Sequence, residues 1–310
     1  MEKVRQPAVA IFLYNRPEYL DLQLPAIQEL GPGQIYVFID GPEPNIATKS
    51  AQTEISERLA LAISDGYNLI IRHRKDNLGT RQSIKAGLDE VFSREEFCIV
   101  LEDDCIPTEA FGEYVTSIRS QVEGNKELRI GTISGNYFGS TRLGPHLSKF
   151  PRTWGWATWS HAWKECDPSI NLDKEGLEEA LDWALGKSLF LKPQKRHWRK
   201  RYLEALEDRT MWDAQWTVHN WSARRYSVSP GRNLVANIGN DERAIHSFGD
   251  YGLVNWPVAP RSESRYLLHP SYRVAPDRAE QRVFQTLALK GLLKYGAKAR
   301  LGKGKSNLAH

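Results

Sequence analysis

The 310-residue chain is poor in several features that would name a class at once. It has three cysteines, Cys98, Cys105 and Cys166, which cannot all pair and never stand in a C-x-x-C spacing. That argues against a disulfide framework and a thiolate zinc site, and for a reducing compartment. No apolar run approaches the ~20 residues of a membrane span. The apolar "AVAIFL" at Ala8–Leu13 is too short for the core of a secretory leader and stops at Asn15-Arg16-Pro17. The expectation is a soluble, cytoplasmic chain with no leader or anchor. Charge of one sign is also scarce: 42 Lys and Arg against 38 Asp and Glu leave a net +4, too mild to argue for nucleic acid. The basic residues do not alternate with aromatics over a compact sheet, so no nucleic-acid partner is expected. Finally, G-x-x-x-x-G-K-[ST] is absent and no G-x-G-x-x-G follows the first apolar run, so a bound nucleotide must be held in another way.

What is present is an alternation of short apolar runs and helical spacing over the first third. Ala8–Leu13, Gln34–Ile39, Leu69–Arg72 and Cys98–Leu101 read as strands. Between them, Ile55, Leu59 and Ile63 recur at helical spacing before Gly66, and Ile84, Leu88, Val91 and Phe92 mark another helix with Thr80 available as N-cap. A first helix after Pro17 contains Pro25 and is expected to kink or split there. Strands alternating with helices imply a mostly parallel sheet whose ligands sit beyond the strands' carboxyl ends. Polar groups end three of them: Asn15-Arg16, Asp40-Gly41 and Glu102-Asp103-Asp104. The second half is less regular. Arg129–Ser134 reads as a strand followed by Gly135-Asn136, residues 174–186, 194–208 and 210–225 as helices, and residues 226–252 as loop. The segment "FPRTWGWATWSHAW" carries four of the ten tryptophans and resists placement. The expected boundaries divide the chain into 1–135, 136–265 and a basic helical tail over 266–310.

The stretch Phe97–Thr108, "FCIVLEDDCIPT", ends a buried strand on three like charges. Carboxylates near low dielectric must be paired or solvated, and three together repel. A hard divalent cation, Mg2+ or Mn2+, answers this by bridging a carboxylate and diphosphate oxygens without a glycine cradle. Asp104 is the preferred metal ligand, with Asp103 and Glu102 meeting ribose, sugar hydroxyls or metal-bound water. The bland alternative is an acidic strand end capping the next helix. Trp154, Trp156 and Trp159 are candidate stacking surfaces for an acceptor sugar or, equally, core residues; Asn136 is a further sugar-contact candidate. The Gly- and Asn-rich span 237–252 reads as a lid over bound donor, with Arg243 near the diphosphate and His246 a candidate second metal ligand.

The pieces "FLYNRPEYL", "IDGP", "NLGTRQSIKAGLDEVF" and "CIVLEDDCIPTEAFGEY" fall in the order of the GT-A (Rossmann-like α/β) glycosyltransferases. Within them the chain most resembles the N-acetylglucosaminyltransferase I family, and "FPRTWGWATWSHAW" and "MWDAQW" are weakly similar to its acceptor-side segments. The resemblance implies that Arg16 and Asp40 bind the uracil end of a UDP-sugar and that Asp104 binds the metal. It also implies that Asp213 is the general base of an inverting transfer to a hydroxyl of a glycan or lipid-linked acceptor. Asp213 three residues after Thr210 could instead complete a capping box. The chain departs from the likeness by a basic insert near 188–208 and by Asp-Ala-Gln in place of Asp-Asp. The basic stretch Lys192–Arg201, with Lys290, Lys294, Lys298 and Arg300, is either a solvated face or a peripheral contact with an anionic membrane. Competing readings are a sugar nucleotidyltransferase, which needs a Gly-rich loop that "YNRPEYL" lacks, and a non-catalytic glycan-binding relic of a transferase.

Overall fold

The computed structural model of the chain describes residues 6–43, 46–125, 127–137, 144–167, 169–208, 211–239 and 266–268. An eight-stranded sheet runs through them in the order β3-β2-β1-β4-β8-β6-β9-β7. Its first four strands are parallel: β1 (Ala8–Leu13), β2 (Ile35–Ile39), β3 (Leu69–His73) and β4 (Phe97–Glu102). α1 (Leu20–Glu29), α2 (Ile46–Ser64) and α3 (Thr80–Val91) make the crossovers. Side chains alternate across β1: Val9, Ile11 and Leu13 pack with Ile27, Ile55 and Leu59 on one face, while Ala8, Ala10 and Phe12 face Ile84 and Leu88 on the other. Gly87 inside α3 is required by that second face, because a Cβ there would collide with the Phe12 ring stacked on Phe38. This is the α/β architecture expected from the sequence, a central sheet flanked by helices, and the sheet continues without a break across residue 135.

Beyond β4 the sheet turns mixed. β8 (Trp156–Trp159) enters antiparallel between β4 and β6 (Ile130–Ser134). β9 (Tyr226–Ser229) lies parallel to β6, and β7 (His146–Ser148) closes the edge antiparallel to β9. A separate two-stranded sheet joins β5 (Cys105–Pro107) to β10 (Val235–Asn237). α4 (Glu109–Glu123) covers the main core, and α5 (Ser160–Glu165) follows β8. α6 (Lys174–Leu185), α7 (Lys192–Glu207) and α8 (Asp213–Ser222) share a third cluster around Leu181, Tyr202, Val218 and Trp221. All three cysteines are buried and free.

Several expectations need correction. The helix after Pro17 does not split at Pro25; the interruption is a 3-10 turn over Pro17–Tyr19, and α1 runs on through the proline. Gly79, at φ 76°, caps α3 in place of Thr80, which is its first helical residue. The span after 225 holds β9 and β10 before its described part ends at residue 239. α8 starts at Asp213 with Trp212 as a cap that makes no side-chain bond, so Asp213 occupies the first helical position and not the third of a capping box.

Candidate active site

The carboxyl ends of β1, β2, β4 and β6 lie on one edge of the sheet, because β6 is antiparallel to β8 and β8 is antiparallel to β4. That edge gathers Arg16, Asp40, Glu102, Asp103, Asp104 and Asn136. Asp40 is buried and already held: its carboxylate accepts from the backbone N–H groups of Gly41, Leu78 and Gly79 at 2.9–3.0 Å. Those amides order the turn leading into α3, and Oδ2, with one bond, keeps room for another donor.

Arg16 donates to Asp103 Oδ1 at 2.9 Å and stands 3.6 Å from Asp104 Oδ2. Its other Nη reaches the carbonyl of Gly239 at 3.5 Å. The acidic turn is clamped from both sides. Gln23 of α1, fully buried, donates to the carbonyls of Glu102 at 2.7 Å and Cys105 at 3.0 Å. On the far side β10 pairs with β5, Ile238 N–H donates to Asp104 O at 2.9 Å, and Tyr19 donates to Ile238 O at 3.1 Å. Gly239 passes so close that a Cβ would fall into the Asp104 carboxylate. Burial pushes the Glu102 carboxyl well above its usual range, and the charges of Asp104, Asp103 and Asp213 push it further. Burial raises Asp104 too, against the opposing pull of Arg16 and of the Cys105 and Asn237 side chains.

Asp213 belongs to the same electrostatic neighbourhood as Glu102, because α8 packs its Trp216 under the sheet and carries its N-terminus to this edge. Its Oδ2 accepts from Arg201 of α7 at 3.2 Å, and its side chain is 44% exposed, open to an incoming group. Asn136, 2% exposed, lies two residues past the end of β6, and among the described residues its Oδ1 meets no donor.

The structure separates the tryptophans. Trp156 is fully buried against Trp212 and Trp216, with ring centroids 5.5 and 5.1 Å away, so it is core and offers no face to a sugar. Trp159 sits opposite Phe97 at the far end of β4 and donates to Glu123, again away from the carboxylates. Trp154 alone stays half-buried at the edge, packed on the main core. Arg243 and His246, with the lid beyond residue 239, lie outside the described residues, as do Lys290, Lys294, Lys298 and Arg300. Most of the basic α7 stretch is matched internally: Lys195 pairs with Asp182, Arg199 with Glu178, Lys200 with Glu204 and Arg201 with Asp213. No helix among the described residues is long and apolar enough to cross a membrane.

A divalent metal fits the donor set. Four carboxylates (Glu102, Asp103, Asp104, Asp213) stand on this edge against two guanidiniums (Arg16, Arg201), so hard oxygen donors outnumber the cations. Among the described residues no three metal-binding side chains converge, so the protein side would supply one or two ligands. Sequence reasoning missed Gln23, and met Arg201, Asn237 and Gly239 only inside the spans Lys192–Arg201 and 237–252. A signal existed for Gln23, a polar residue on the buried face of α1 with Leu20, Leu24 and Ile27. Gly239 had none, since its partner Asp104 is remote in sequence.

No family model and no curated protein matches the chain. Among solved structures it is similar to residues 1–349 of TarS from S. aureus, at 12% identity and TM-score 0.41, covering 76% of this chain and 61% of that one. It is also similar to the mannosyltransferase PcManGT from Pyrobaculum calidifontis in complex with GDP-Man and Mn2+ (12%, 0.39, 71% and 70%). A third is GalNAc-T7 with UDP, GalNAc and Mn2+ (11%, 0.34, 56% and 37%). A thymidylyltransferase is among the similar structures too. The chain thus spans about three fifths of the TarS segment. Likenesses this distant carry no functional argument, and the reading below rests on the site.

Proposed function

We propose that the chain is a divalent-metal-dependent glycosyltransferase, moving a sugar with inversion from a nucleotide diphosphate, UDP in the first instance, to a hydroxyl of a glycan or lipid-linked acceptor. The observation that carries it is the carboxylate-rich strand edge, held by clamps from Gln23 and from the β10 segment that a mere strand end would not need. Asp104 would hold the metal with Glu102 or Asp103 beside it. Bound there, Mn2+ or Mg2+ supplies Lewis acidity to the leaving diphosphate. The protein's own groups do the rest. Asp40 orients the base through its remaining lone pairs, and Arg16 fixes Asp103 in the turn. Asn136 Oδ1, whose isolation costs on the order of 1–3 kcal/mol, takes a hydroxyl of sugar or acceptor. Asp213, exposed and steadied by Arg201, accepts the acceptor's proton as the new bond forms, a contribution of roughly 10²–10⁴-fold.

A sugar nucleotidyltransferase is disfavoured because Tyr14–Leu20 holds a 3-10 turn and no glycine-rich loop. Titration calorimetry of UDP with and without Mn2+ tests the site. Wild type and Asp213→Asn should bind UDP only with metal, Asp104→Ala should lose that dependence, and Asp213→Asn should lose transfer while keeping binding. Absence of metal-dependent binding for UDP, GDP and dTDP alike would sink the proposal.

A further inference from the structure

A second site lies away from the carboxylate edge, where α7 begins. A groove of about 330 Å³ is lined by Lys187, Lys192, Lys195, Arg196 and Arg199, with Glu178 the acidic side chain among them. Lys195 and Arg199 are paired with Asp182 and Glu178. Among the described residues Lys187, Lys192 and Arg196 make no ion pair or hydrogen bond, and all three are exposed. Five cations against two carboxylates leave an excess of three positive charges in one groove. The 16-residue α7 begins at Lys192, and the positive end of its dipole adds to the same potential.

Beside these cations, on a 3-10 turn over Leu189–Leu191, Leu189 is 70% exposed and also lines the groove. Unneutralised cations around a concavity suit a phosphate group. A large apolar side chain held in solvent at the rim suits something greasier than water next to that phosphate. A phospholipid headgroup presents both at one depth.

We infer that this groove is a docking site for the phosphate of an anionic lipid headgroup, with Leu189 entering the interface beside it. Around α7, Arg201 and its partner Asp213 project from a different side than the groove, so the acidic site stays free when the groove is occupied. The inference stands whether or not the chain is a transferase.

The test is co-sedimentation of the full chain with vesicles of phosphatidylcholine alone or with about 30 mol% phosphatidylglycerol, which supplies the negative surface potential of an anionic leaflet. Binding should appear only with the anionic lipid and fall with salt. Lys187→Glu/Lys192→Glu/Arg196→Glu should weaken it by roughly tenfold or more, and Leu189→Ser by a smaller factor at constant charge. A control with the same charge change elsewhere, Lys49→Glu/Lys75→Glu/Lys164→Glu, should bind within about threefold of wild type after allowing for screening. These positions are exposed, and unchanged melting confirms that each variant folds. Equal loss in the control assigns the effect to net charge and overturns the site. Failure to bind anionic vesicles at low salt overturns it as well, as does competition by inorganic phosphate with no effect of Leu189→Ser, which marks a site for free phosphate.

Discussion

Glu102 carries the cost of the acidic edge in a single side chain. Its folded carboxyl titrates above the ordinary value because of burial first and then the charges of Asp104, Asp103 and Asp213. A raised carboxylate weakens the fold wherever the unfolded chain is ionised, so the penalty is absent below about pH 4 and grows as pH rises toward the folded value. Glu102→Gln is therefore expected to raise the melting temperature at pH 7 by a few degrees, with the gain shrinking to nothing near pH 4. A melting temperature unchanged at pH 7 would show that the carboxylates are not frustrated. The run of three acids at the end of an apolar strand was legible in the sequence because charge beside a buried run always needs an account. Trp156 was not, because an indole in a Gly-Trp segment looks the same whether it stacks on sugar or on Trp212 and Trp216.

The second half is held by α8, whose faces are all occupied. Trp216 lies under the sheet, donating to Thr132, and Trp221 faces α6 and α7. His219 is caught between, 5% exposed near Tyr202, and burial lowers its pKa to about 4. A histidine depressed in the fold gives full stability above the unfolded value of 6.5 and loses it as pH falls toward 4, by at most about 3 kcal/mol. Unfolding free energy measured by urea should fall over that window in wild type and flatten in His219→Gln; identical slopes would remove the histidine from the account. Local patterns found β1 to β4 and α3 to within a residue or so, since parallel strands buried on both faces read as continuous apolar runs. They could not find β5, β7, β9 or β10, each three or four residues long and defined by distant partners.

At the scale of the molecule, the described residues form a main sheet with helices on both faces, an acidic edge, and a basic groove where α7 begins. Because carboxylates outnumber guanidiniums at the acidic edge, metal and nucleotide should stabilise the chain together more than the sum of each alone. At about 100 times the dissociation constant the gain is about 2.7 kcal/mol, or several degrees in a melting scan. Additive shifts would mean separate sites. β8 explains why the sequence outran its reader here: it is late in the chain, antiparallel, and inserted between β4 and β6, so no neighbouring segment announces it.

The pairing of β5 with β10 also orders events at the ribosome. Thr108 hydroxyl donates to the Leu234 carbonyl across 126 residues, so the acidic turn is translated long before the strand that secures it. At usual elongation rates the wait is roughly 6–25 s. During that time β1 to β4 can pair while the turn beyond them stays unpinned on one side. The nascent chain can thus hold most of its parallel sheet before β10 exists to pin the acidic turn, and the finished geometry of that turn arrives late.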